Sequence, residues 1–156
     1  MLCSISFFGT IELKAVIVLR NGFSNDTTKF LLPLTPVAIP TPAKGGRLYF
    51  TADTHFRHEN LVVRKYCPAR PCETVSEMHA LFEKRWNETV KSDRDIVVVV
   101  GDFFWKGRGG AASNPLPDER FDEMRRILKR LRGEKILVRG NHDKFTDEEY
   151  LEAGFA

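Results

Sequence analysis

Six residues in three places could do chemistry together: Asp53 and His55, then Asp102, then Asn141, His142 and Asp143. Carboxylates, imidazoles and an amide form a mixed shell that suits Mn²⁺, Fe or Zn²⁺ better than Ca²⁺, which prefers oxygen alone. Asp53 and His55 stand two apart at the end of an extended segment, so both side chains can point the same way. Asp102, entering between the other two groups, could bridge a pair of ions. Two ions a few ångström apart would clamp a phosphoester oxygen and bring the pKa of a shared water near neutrality. His142, held by its neighbour Asp143, could protonate the leaving oxygen. The cofactors this set calls for are two divalent metal ions, Mn²⁺ first, with Fe or Zn²⁺ as alternatives.

Such residues cooperate only if the chain brings three distant segments together. Each group directly follows a short apolar run: Leu48 to Thr51, Ile96 to Val100, and Ile136 to Val138. The β-branched run from Ile96 reads as a strand buried on both faces. Between these runs lie two helical patterns. Thr74-x-x-Glu77 is a capping box, followed by Met78, Leu81, Phe82, Trp86 and Val90 on one face. Pro117 and Asp118 suit a helix start, Phe121, Met124, Leu128 and Leu131 make its apolar stripe, and Gly133 supplies the stop. Strand, helix, strand, helix, strand implies right-handed crossovers and a mostly parallel sheet, the α/β class. In a parallel sheet all C-terminal strand ends share one edge, where ligands bind. Gly101 and Gly140 let the backbone turn sharply there.

The chain before this region has another texture. Residues 1–32 read as a short β-rich segment, with strands over Ser4 to Phe8, Ile11 to Arg20 and Thr27 to Leu32 and a turn at Asn21-Gly22. Pro33, Pro36, Pro40 and Pro42, then Gly45-Gly46, mark residues 33–46 as an extended linker, because proline donates no backbone hydrogen bond. Residues 47–156 form the α/β domain. Net charge is +3 and charged residues make up 29% of the 156. That suits an anionic substrate, nucleic acid or nucleotide included, but falls short of the cationic stripe of a dedicated nucleic-acid binder. Cys3, Cys67 and Cys72 are odd in number and form no C-x-x-C pair, against a disulfide framework or a zinc knuckle. No apolar run is long enough for a bilayer and the start lacks a signal peptide's pattern, so the expectation is a cytoplasmic protein with no membrane partner.

The ordered motifs Asp53-Thr54-His55, Gly101-Asp102 and Gly140-Asn141-His142-Asp143 resemble those of the calcineurin-like metallophosphoesterases. The stretch Asp53-Thr54-His55-Phe56-Arg57-His58-Glu59-Asn60 is similar to the compact phage and bacterial branch, with Arg57 where glycine is usual. Tyr66-Cys67, Arg70-Pro71, Met78, Trp86-Asn87 and Phe103 also match that branch. The resemblance covers residues 47 to about 145. It implies the first half of an αββα sandwich and hydrolysis of a phosphomonoester or phosphodiester by two metals. Carried over residue by residue, Asp53 and His55 would bind the first metal, Asp102 would bridge, and Asn141 would bind the second. His142 would donate the proton or contact the transition state, Asp143 would orient it, and His58 would line the substrate pocket. Family members continue to a further histidine and a Gly-His-x-His motif. The histidines here are His55, His58, His79 and His142, and none stands at those later positions. The alternative expectation is therefore a catalytically incomplete fragment with at most one weak metal site.

Other residues have a bland reading beside a sharp one. His79 lies inside a helical pattern and reads as a solvated or half-buried helix residue. Trp86 and Phe82 lie on an apolar stripe, where core packing outweighs base stacking. Arg125, Arg126, Lys129, Arg130 and Arg132 share a helix with Glu119, Asp122 and Glu123, the pattern of a solvated face. Arg139 could touch a substrate phosphate or pair outward with a carboxylate. Lys106 to Gly110 reads as a basic loop that lacks a P-loop's ending.

Overall fold

The β-branched run becomes the middle of the sheet, as its composition predicts. In the computed structural model, which describes residues 3–5, 11–13, 37–64, 66–67, 70–107 and 117–156, β5 (Ile96–Val100) pairs in parallel with β4 (Leu48–Thr51) and β6 (Glu134–Val138). An antiparallel strand, β1 (Cys3–Ile5), adds to the outer side of β4, giving the order β1-β4-β5-β6. Ile96 to Val99 are all buried, so both faces of β5 are covered, as parallel strands require.

The helices α2 (Val75–Thr89) and α3 (Pro117–Arg130) fill the two crossovers, and the α/β class expected for residues 47–156 holds. Thr74 caps α2 through its side chain, which accepts from the Glu77 amide. The reciprocal bond differs from the pattern expected: Glu77 accepts from the Glu73 amide, one residue further out, at 2.8 Å. Two helices enter that the strand-helix pattern omitted, a single turn α1 (Glu59–Val62) and α4 (Asp147–Ala153). The core gathers Phe56, Trp86, Val97, Phe103, Phe104, Met124, Leu128, Phe145, Tyr150 and Phe155. Trp86 is a core residue whose indole N–H donates to the Arg132 carbonyl at 2.9 Å.

One buried carboxylate fixes the start of the sheet. Asp95, 3% exposed, accepts from the amides of Arg47, Lys91 and Ser92 at 2.8–3.1 Å. Backbone donors satisfy the charge that burial would otherwise penalise.

The chain divides into two compact units, Met1–Ser6 with Pro42–Ala156, and Phe7–Thr41. In the second, β2 (Ile11–Leu13) pairs antiparallel with β3 (Val37–Ile39). This differs from an unpaired linker over residues 33–46. Val37, Ala38 and Ile39 lie between Pro36 and Pro40 and keep their own amides for a ladder. The expected strands beyond Ile5 and Leu13, the Thr27 to Leu32 strand and the Asn21-Gly22 turn lie outside the described residues, as do positions 108–110 of the basic loop. Among the described residues, no helix is long and apolar enough to cross a membrane.

Candidate metal centre

The three strand ends meet because their loops are stitched to one another. The His55 amide donates to the Asp102 carbonyl and the Phe56 amide to that of Phe103, both at 2.8 Å. The Trp105 amide returns to the Phe56 carbonyl at 2.8 Å, so the β4–β5 pairing continues beyond the strands. The third loop closes onto the second at two glycines. A Cβ on Gly140 would stand 2.6 Å from the Asp102 nitrogen, and one on Gly101 3.3 Å from the Gly140 Cα. No side chain fits between these loops.

Asp143 holds this crossing. It is 2% exposed. One carboxylate oxygen accepts from the amides of Asp102 and Gly140, each at 2.8 Å. The other accepts from the amides of Phe103 at 3.0 Å and Phe104 at 3.4 Å, and from the Tyr150 hydroxyl at 3.4 Å. The role expected for Asp143, orienting the His142 ring, thus takes another form: its lone pairs go to backbone amides and the Tyr150 hydroxyl, and it shapes the loops. His142 is fixed instead through its own amide, which donates to Asp102 Oδ1 at 2.8 Å.

Three of the candidate ligand positions sit in unusual backbone geometry. Asp53, His55 and Asp102 have φ of 52°, 49° and 54°, and Arg57 follows at 67°. Left-handed backbone at residues with a Cβ costs about 1 kcal/mol or more each and aims side chains where an ordinary turn would not.

The side chains converge accordingly. One ligand atom each from His55, Asp102 and His142 lies within 4.8 Å of the others. His55 Nε2 stands 3.6 Å from both Asp53 Oδ1 and Asp102 Oδ2. Two ligands each about 2.1 Å from one ion stand roughly 3.0–3.4 Å apart at octahedral or tetrahedral angles, so the 3.6 Å spacings of His55 from Asp53 and Asp102 fit a divalent cation with a small contraction, and His142 would close in further. Burial pushes the His55 imidazole below its ordinary pKa, with Asp102 opposing, which favours the neutral ring that a metal requires. Burial likewise pushes His58 down to about 4. Asp53 lies at the rim with its carboxylate 72% exposed, and Asn141 is exposed in the turn beside His142.

Not every expected residue faces the crevice. Arg139 donates to the Asp147 carboxylate at 2.8 Å and to the carbonyls of Asp143 and Phe145. Of its two readings, phosphate contact and carboxylate pairing, the structure places it in the second. Two residues with no expected role stand at the site. Arg70 donates to the carbonyls of Asp53 at 2.6 Å and Thr54 at 2.8 Å, pinning the first loop. Trp105 lies flat against His58, with ring centroids 4.2 Å apart and planes 11° apart, and 4.7 Å from the His142 ring. An aromatic three residues after a ligand is the signal that could have marked Trp105. His79, half-buried in α2, accepts the Arg57 amide on Nε2 at 2.7 Å.

Comparison with known proteins gives this crevice relatives. Over 102 residues the chain is 37% identical to an uncharacterised protein of Methanocaldococcus jannaschii, MJ1445, covering 65% of this chain and 49% of the relative. A solved structure, the protein of unknown function AQ665 from Aquifex aeolicus, shows 31% identity and a TM-score of 0.46, covering 69% of this chain and 48% of that one. The chain thus spans about half the length of the relatives it matches. The family model for calcineurin-like phosphoesterases matches residues 46–155, from just before β4 to just past α4, and the chain belongs to that family.

Proposed function

We propose that this chain carries part of the site for metal-dependent hydrolysis of a phosphomonoester or phosphodiester by a two-metal mechanism, nucleotides and nucleic acids being among the substrates. Its family is one of metal-dependent phosphoester hydrolases. The observation that supports the reading most is the convergence of His55, Asp102 and His142 at the C-terminal edge of the parallel sheet. Divalent ions held by Asp53, His55, Asp102 and Asn141 would supply Lewis-acid stabilisation of phosphoryl oxygens and an acidified water.

The chain's own residues set the rest. Asp102 engages the His142 amide through Oδ1 and turns Oδ2 toward His55, so one carboxylate ties the second and third loops to the first. The His142 ring, centred 5.2 Å from that of His55, would hold a proton for the departing oxygen. His58, its ring centred 5.9 Å from that of His142, would line the substrate side of the site. Asp143 keeps the loops in register.

Manganese-dependent cleavage of a chromogenic phosphodiester or phosphomonoester tests the reading. Activity is expected to vanish with chelator and with Asp102→Asn. No turnover by folded protein at any Mn²⁺ concentration would remove the enzymatic claim for this chain. One observation favours a second reading, a catalytically incomplete fragment with at most one weak site: the converging group of three residues is enough for one ion. Calorimetric titration with Mn²⁺ separates the two by counting sites.

A further inference from the structure

We propose that Trp105 is a positioning residue of this site, setting the orientation of the His58 and His142 rings toward Asp102; the inference deepens the metal-centre reading and rests on it for its metal arm only. His55, His58 and His142 form a triangle of imidazoles, with ring centroids 5.2–5.9 Å apart. Rings so placed have no covalent reason to keep their tilt, since each is free to rotate about its terminal torsion. The Nδ1 atoms of His55 and His58 are buried without a hydrogen-bond partner, so no polar contact at that atom holds either ring. The indole supplies the missing restraint. It stacks flat on His58 and meets His142 at 59°, filling the space into which both rings would otherwise swing.

Trp105 is itself well held. Its amide donates to the Phe56 carbonyl at 2.8 Å, and its carbonyl accepts from the Arg57 guanidinium at 3.5 Å. Arg57 is anchored in turn on Glu123 of α3 at 3.1 Å. The wall behind the histidines is thus tied to the first loop and to a helix. His142 offers a ligand atom within 4.8 Å of those of His55 and Asp102, and partners that orient a metal ligand change metal affinity when removed by about 10- to 100-fold.

The test compares Trp105→Leu, which keeps bulk without a flat face, with Trp105→Phe, which restores an aromatic plane. Histidine ring resonances, read by NMR on metal-free protein, give the first readout. In the native chain the His58 and His142 ring protons are expected to be displaced by the indole ring current. In Trp105→Leu the nuclear Overhauser contacts among the His55, His58 and His142 rings, 5.2–5.9 Å apart between centroids, are lost while the His79 signals stay in place, and Trp105→Phe keeps them. Zn²⁺ titration gives the second: affinity falls about tenfold or more in Trp105→Leu and is largely rescued in Trp105→Phe. Unchanged ring contacts in Trp105→Leu, or a Zn²⁺ affinity equal to that of the native chain, would overturn the proposal. If the native chain bound no divalent cation, the metal-centre reading would fall, and the ring contacts alone would decide the role of Trp105. Should Trp105→Leu fail to fold, undisplaced His58 and His142 ring protons in the native spectrum would still overturn it.

Discussion

At the scale of single residues, identity announced which side chains matter and concealed what each one touches. Asp143 shows the difference. Its place in Gly-Asn-His-Asp pointed to the neighbouring imidazole, yet its carboxylate accepts from nearby Gly140 and Tyr150 and from backbone amides some 40 positions away in the chain, which no local pattern encodes. Asp143→Ala would leave several buried donors unpaired at once. A loss of about 3 kcal/mol or more in metal-free stability is expected, read as a lower urea midpoint in the presence of chelator. A residue acting only on the His142 ring would leave that midpoint unchanged. The convergence of His55 with Asp102 was legible because residue types able to bind metal are few in kind and their motifs are spaced by strand ends. Trp105 was not, because an indole in an apolar stretch looks like core until its stacking partner is seen.

At the scale of elements, periodicity and composition carried most of the information. The β-branched run marked β5, the Thr74 cap marked α2, and the strand-helix alternation marked the parallel order. The final helix carries a signal of the same kind that the pattern missed: Thr146 and Glu149 form a complete capping box, with bonds of 2.6 and 3.2 Å between side chains and amides. Its shortness hid it, since seven residues barely display a helical period. Thr146→Ala should cost about 1 kcal/mol. The loss should show as faster amide exchange confined to 147–153 and as a small drop in melting temperature. The pairing of β1 with β4 lay beyond sequence reasoning, because a strand as short as three residues takes its partner from the fold and not from its own pattern.

At the scale of the molecule, two imidazoles buried at a cost couple stability to acidity. His58 and His79 are both pushed down to about 4, chiefly by burial, against an unfolded value of 6.5. Below 6.5 the unfolded chain takes up protons that the folded chain refuses, so stability falls as the pH drops from 6.5 toward 4 and is flat above, for these groups. The urea midpoint of chelator-treated protein should therefore decrease across that window, and His79→Gln should flatten the decline. The left-handed backbone at Asp53, His55 and Asp102 has a related effect on how such a molecule can evolve. Glycine at Asp53, whose carboxylate is exposed, would relax the loop and raise heat resistance while deleting a candidate ligand atom. A laboratory lineage screened for survival at high temperature alone would drift toward a sturdier descendant without it, and this position would be among the first it gave up.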